Sequence, residues 1–136
     1  MRLFLGIELP PAWRRALAQG AEALGRAGVQ GRFTLPDNYH LTLVFLGETD
    51  RRTEAEAALR QTGGASFPLR TALPGCFPRK GGDIWWLGVE PAPGLLAVQR
   101  RLEGALRASG FSLEERPYRP HITLARKVRS PAGLAP

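Results

Sequence analysis

The chain has two histidines, His40 and His121, and both open the same pattern: His40-Leu41-Thr42-Leu43 and His121-Ile122-Thr123-Leu124. A proline stands four residues before each, Pro36 and Pro117, and an aromatic lies nearby, Tyr39 and Tyr118. On a β-strand, residues i and i+2 project to the same side. Each copy therefore presents an imidazole beside a hydroxyl, with Leu41, Leu43, Ile122 and Leu124 on the opposite face as an anchor. A lone His-x-Thr-Leu strand means little, since its histidine is ordinarily a surface or hydrogen-bonded residue. Repetition of the pattern at both histidines, with the same proline offset, is what points to chemistry.

Two such half-sites face to face would suit phosphodiester chemistry. One neutral imidazole takes a proton from the nucleophile, and the other, protonated, gives one to the leaving oxygen. Histidine is the side chain whose ordinary pKa lets both forms exist near neutrality. Thr42 and Thr123 can donate to non-bridging phosphoryl oxygens, where charge builds in the transition state. Neither a metal nor a cofactor is expected, and two histidines without a cluster of Cys or carboxylates make a poor zinc site. Arg126 lies five residues past His121, so strict alternation turns it to the wrong face unless the strand bends or ends first. Arg119 shares the parity of His121 and is a rival phosphate contact. Trp85 and Trp86 occupy opposite faces of one strand. The core is the favoured place for both, as for Phe33, Tyr39 and Tyr118, with base stacking as the alternative.

Composition narrows the class. The chain has 136 residues, enough for one domain with a real core. No run approaches the ~20 apolar residues of a membrane span. The opening Arg2-Leu3-Phe4-Leu5-Gly6-Ile7-Glu8-Leu9 reads as a core strand, not a signal peptide. One cysteine, Cys76, allows no internal disulfide and fits a reducing cytoplasm. The net charge is +7, and arginine supplies 17 of the 19 basic residues. That balance suits a polyanionic partner, although a general arginine bias would produce it too.

The elements that must position the histidines follow from periodicity. Residues 2–9 alternate as a strand. Pro10-Pro11 opens a helix over 11–27 with the stripe Trp13, Leu17, Ala21, Leu24, and Gly28 stops it. Residues 29–39 read as a connector. A strand runs from His40 to Leu46, with His40, Thr42, Val44 and Leu46 on one face and Leu41, Leu43 and Phe45 on the other. A helix over 53–61 is ended by Gly63-Gly64. A weak strand over 66–73 precedes a Pro/Gly loop through Gly82, and Ile84–Val89 is a strong strand. A helix of about 16 residues follows Pro93, with the stripe Leu95, Val98, Leu102, Ala105, Leu106, and Gly110 stops it. Residues 111–120 form a short strand or connector, the strand from His121 follows, and a Gly/Pro tail closes the chain. Interleaved strands and helices without a linker indicate one α/β (α+β) domain over 1–136. The two motif strands would each head a half, as two pseudo-symmetric sheet-and-helix lobes.

Residues 36–48 (PDNYHLTLVFLGE) and 119–126 (RPHITLAR) resemble the paired signatures of the 2H phosphoesterase superfamily. They are most similar to those of the bacterial and archaeal RNA 2′,3′-cyclic phosphodiesterases, also called 2′-5′ RNA ligases, whose opening strand is matched by residues 2–10. The resemblance covers about residues 1–127. It implies a bilobal fold with both motifs in a central cleft. It implies hydrolysis of a terminal 2′,3′-cyclic phosphate on RNA to a 2′-phosphate, with reversible 2′-5′ ligation as a side activity. By this resemblance His40 and His121 are the acid–base pair, Thr42 and Thr123 bind phosphate, and Arg126 contacts substrate. His121 is taken as the base and His40 as the acid, an order that the residues themselves leave open. The partners expected are RNA ends, met by a cytoplasmic monomer. The family's chains usually continue further past the second motif, adding strands that complete a sheet. Three alternatives stand beside hydrolysis: 2′-5′ ligation, a small cyclic phosphodiester as substrate, and a non-catalytic RNA-binding module.

Overall fold

The structure, a computed structural model, describes residues 2–62 and 67–129. Its elements are β1 (Arg2–Glu8), α1 (Pro11–Arg26), β2 (Gln30–Phe33), a single 3₁₀ turn (Pro36–Asn38), β3 (His40–Glu48), α2 (Arg52–Thr62), β4 (Thr71–Phe77), β5 (Asp83–Val89), α3 (Pro93–Ala108) and β6 (His121–Arg129). This is an α+β chain. β2, β6, β5 and β4 form a four-stranded antiparallel sheet in that order, and β1 and β3 form a two-stranded one.

The chain forms two compact units, and they are not sequential halves. One takes residues 1–7, 42–70 and 90–120, and the other 8–41, 71–89 and 121–136. The two motif strands belong to different sheets, in keeping with the expectation that each heads its own lobe, although β3 starts in the unit of β6 with His40 and Leu41 and continues in the other from Thr42, so the units interleave along the chain. Long-range antiparallel pairing is the reason, since β6 finds its neighbours in β2 and β5, far apart in sequence.

In the first unit α2 packs on α3. The buried residues of α2, Ala55 and Ala58, are small enough to let the helices approach closely. α3 buries Leu95, Leu102 and Leu106 completely. Each contributes roughly 1.5–3 kcal/mol by leaving water. A polar member of the same stripe, Gln99, is 6% exposed. Its side-chain amide donates to the Leu43 carbonyl (3.4 Å) and to Glu103 (2.9 Å), tying α3 to β3. Gly110, at φ 93°, ends the helix as its position predicts.

In the second unit one face of the four-stranded sheet forms a core of Val29, Trp85, Ala125 and Val128, against which Leu24, Phe33 and Cys76 pack. α1 shows the expected stripe, but only half-buried.

Three other expectations change. The connector 29–39 contains β2. Gly31 permits it, because a Cβ there would lie 3.0 Å from the Arg126 carbonyl oxygen across the pair. β4 begins inside the weak strand expected over 66–73 and extends into the loop expected through Gly82. Pro74 is tolerated because β4 is an edge strand with a register shift between Thr71 and Pro74. Phe45, expected in the anchoring face of β3, is 53% exposed, with Arg2 over its ring at 5.3 Å. Leu43 and Val44 are both buried, so the strand is covered on both faces there and its alternation breaks. Residues 111–120 are a connector. The proposed Gly63-Gly64 stop, residue 66 of the weak strand and the tail from residue 130 lie outside the described residues.

Candidate active site

β6 carries three of the expected site residues, and its irregularities decide where they point. His121 pairs with Gly88, Ile122 with Leu87 and Thr123 with Trp86. The register then shifts: Ala125 pairs with Trp85, which leaves Leu124 as an extra residue. One added residue reverses the phase of a strand. Ala125 joins Ile122 on the buried side, and Arg126 comes round to the face of His121 and Thr123. Strict alternation places Arg126 on the opposite side, and the bulge is what corrects that reading. Thr34 holds the bulge with two bonds. Its hydroxyl donates to the Thr123 carbonyl and its amide to the Leu124 carbonyl, both at 2.9 Å. Nothing in the sequence short of the β2–β6 pairing singles out Thr34.

The wall beside His121 is aromatic. Phe77 meets the imidazole edge-to-face with centroids 5.3 Å apart, and Trp86 lies 5.8 Å away. Phe77 and Trp86 are themselves 5.2 Å apart. The two tryptophans thus divide as opposite faces require: Trp85 is core, 3% exposed, and Trp86 flanks the histidine. Two glycines make room. A Cβ on Gly75 would come within 2.5 Å of the Trp86 ring, and one on Gly88 within 2.7 Å of the Leu73 carbonyl oxygen. The indole Nε1–H is buried with no acceptor among the described residues, so packing holds the ring. Phe77 escapes a sequence reading because the prolines and glycines around it make its strand look like a loop.

His40 begins β3. Its Nδ1 lies 2.8 Å from the Asn38 carbonyl oxygen. A carbonyl only accepts, so Nδ1 carries the hydrogen and the ring is held in one orientation. The 3₁₀ turn Pro36–Asn38 presents that carbonyl, which gives Pro36 a local role: it starts the turn with its φ preset. Leu41 and Leu43 are buried while His40 and Thr42 are half-buried, in the phase expected of the motif. The chain passes from one compact unit to the other between Leu41 and Thr42.

Tyr118 donates its hydroxyl to the Thr42 carbonyl at 2.6 Å. It is a backbone clamp, neither simple core nor a stacking platform. Burial pushes its pKa above the ordinary 10.0, and that of Tyr39 rises for the same reason. An unfolded tyrosine therefore loses its proton first, so the contribution to stability is complete below pH 10.0 and declines as pH rises beyond it. Tyr118→Phe should lower stability at neutral pH by about 0.5–1.5 kcal/mol. It should also lessen the alkaline loss, which urea unfolding at neutral pH and at about pH 11 would show. Equal losses at both pH values would contradict the clamp.

Arg119 is exposed and precedes the first residue of β6, so strand parity does not aim it. Among the described residues no group of three or more His, Cys, Asp and Glu is placed to hold a metal ion. No helix is long and apolar enough to cross a membrane.

With both motifs on strands and Arg126 on the face of His121, the relatives can be set beside the geometry. Residues 11–135 match the family model of the 2′-5′ RNA ligase superfamily. The chain belongs to that superfamily. Within the 2′-5′ RNA ligase superfamily it is similar to the RNA 2′,3′-cyclic phosphodiesterase of Thermotoga maritima, 34% identical over 93% of this chain and 70% of that one. The RNA 2′,3′-cyclic phosphodiesterase of Escherichia coli is 33% identical over 99% of this chain and 77% of its own length. Among solved structures, Escherichia coli LigT complexed with 3′-AMP aligns with a TM-score of 0.74 at 34% identity, covering 99% of this chain and 77% of LigT. TT0787 of Thermus thermophilus aligns with a TM-score of 0.76 at 32% identity, covering 100% of this chain and 79% of its own.

Proposed function

We propose that this member of the superfamily is a hydrolase that opens the 2′,3′-cyclic phosphate at an RNA end to a 2′-phosphate. In this reading His121 and His40 exchange protons with the reacting oxygens. One takes a proton from water as the water oxygen bonds to phosphorus. The other gives a proton to the 3′ oxygen as its bond to phosphorus breaks, leaving a 3′-hydroxyl and a 2′-phosphate. Thr123 and Arg126 serve the non-bridging oxygens, and Thr42, two residues beyond His40 on the same strand, adds a second hydroxyl. The observation that carries the reading is the bulge at Leu124, which brings a guanidinium to the face of an imidazole and a hydroxyl on one rigid strand. The Asn38 carbonyl supports it further, because it fixes the hydrogen on the His40 Nδ1 and so sets the tautomer of the ring. Relatives named RNA 2′,3′-cyclic phosphodiesterase supply the substrate class. The same reading takes the chain to be a cytoplasmic monomer acting on RNA ends without a metal ion. The lone cysteine, Cys76, is a free thiol and fits a reducing compartment.

The family's description adds a second reading: 2′-5′ ligation, in which an RNA 5′-hydroxyl replaces water as nucleophile at the same phosphorus. Incubating the protein with an RNA ending in a 2′,3′-cyclic phosphate, with and without a 5′-hydroxyl acceptor strand, separates the two. Hydrolysis predicts a 2′-phosphate end that forms at the same rate in chelator. A 3′-phosphate product, or loss of turnover on adding chelator, would overturn the mechanism.

A further inference from the structure

The face of β6 that carries His121 continues into a pair of arginines. Arg126 stands directly opposite Arg32 of β2, and the neighbouring pair is Ala125 with Phe33. Phe33 and Ala125 belong to the buried side, so Arg32 and Arg126 share the other side, that of His121, Thr123 and Trp86. Both arginines are exposed. Like charges directly opposite on a sheet repel and lower stability. The usual remedy is a carboxylate between them. Among the described residues neither guanidinium has an ion pair, although other arginines pair with carboxylates. One pair further along, Arg129 faces Gln30 on the same side after a second register shift, at which Lys127 takes a φ of 52°. Basic and polar side chains therefore run in a line away from the histidine along β2 and β6.

Resting on the cyclic-phosphodiesterase reading, we infer that Arg32 and Arg126 together hold the RNA backbone, with Arg32 contacting the phosphodiester next inward from the reacting end. With Leu124 as an extra residue, Thr123 and Arg126 are separated by only two residues of the facing strand, so the pair sits about 7 Å along the strand from the threonine. Arg126, on the strand of the histidine, reaches the reacting phosphoryl group, whereas Arg32 lies one strand further out, about 5 Å beyond it, on the path an attached strand would follow. A planar guanidinium can take two oxygens of one phosphate, and an anion between the two arginines relieves their repulsion. The pair then serves as a device for distinguishing an RNA end from a free cyclic mononucleotide. It has no role in moving protons.

Three proteins decide this: wild type, Arg32→Gln and Arg32→Glu. Binding is measured by fluorescence anisotropy with a labelled short single-stranded RNA across a range of salt. Turnover is measured on an RNA with a 2′,3′-cyclic end and on 2′,3′-cyclic AMP. Arg32→Gln should weaken RNA binding about tenfold and reduce the slope of log affinity against log salt by about 0.7, the share of one single-strand phosphate contact. The ratio of kcat/KM for the RNA to kcat/KM for the mononucleotide should fall by a similar factor, and Arg32→Glu should lower it further. Unchanged RNA affinity and salt slope in Arg32→Gln would overturn the inference, as would an equal loss on both substrates. Absence of turnover by wild type on either substrate would overturn the functional reading instead, and the binding series would still decide Arg32.

Discussion

Replacing His121 by alanine should lower kcat on a cyclic-phosphate RNA by roughly 10²–10⁴-fold, the range that a positioned proton-transfer group contributes. His40→Ala should do the same. The doubly substituted protein should be little worse than the poorer single variant, because in the proposed mechanism the two imidazoles act as one unit and either loss stops the proton relay. Rate against pH should be bell-shaped for wild type. Each variant's residual rate should keep only one limb: losing the base removes the acid-side limb, and losing the acid removes the alkaline one. The comparison therefore assigns the roles, which neither residue type nor strand position distinguishes. Substitution at His121 leaves the aromatic wall of Phe77 and Trp86 in place, and substitution at His40 removes the bond to Asn38. A thermal melt of each variant separates lost chemistry from lost structure. Wild-type kcat in either variant would rule out the acid–base pair.

Gly82→Ala should be among the most destabilising single-methyl changes in the chain. Gly82 has φ 129°, a conformation essentially closed to residues with a Cβ. The added carbon would also lie 2.6 Å from both the Lys127 Cα and its carbonyl carbon. Neither atom can swing aside, because both are backbone in a bulge of β6. The strain alone amounts to about 1–3 kcal/mol, and the clash adds to it. A loss of about 3 kcal/mol or more is expected, seen as a fall in Tm of roughly 10 °C. Gly20 is the control. It lies inside α1, and a methyl group added there would meet nothing within 4 Å. Gly20→Ala should stabilise the protein by about 0.5–1 kcal/mol, since alanine is the better helix former. Gly82→Ala and Gly20→Ala should thus move Tm in opposite directions. A Gly82→Ala protein melting within a degree or two of wild type would mean that the turn and bulge can shift together. Because the strained turn abuts the end of β6, activity on RNA should fall along with stability.

The residues whose roles depend on local pattern were legible in the chain itself. Period two put Leu41, Leu43 and Ile122 in the interior and left His40, Thr42, His121 and Thr123 half-buried, as the structure has them. The helical stripes and their glycine stops at Gly28 and Gly110 were equally local, and both glycines take positive φ. Those features follow from geometry within a few residues, so a linear reading reaches them. What the chain alone could not supply depends on partners distant in sequence. β2 and β4 look like loops because Gly31, Pro74 and Gly75 are poor strand formers, and they are strands only because β6 and β5 offer them free hydrogen-bonding edges. Arg126 is misdirected by perfect alternation. Its true face depends on the extra residue at Leu124, which exists because Thr34, from a different part of the chain, captures two successive carbonyls. The same cross-strand register brings Arg32 opposite Arg126. Residue types and spacing thus determined which groups can do chemistry, while pairing between remote strands, through one bulge, decided which of them share a face.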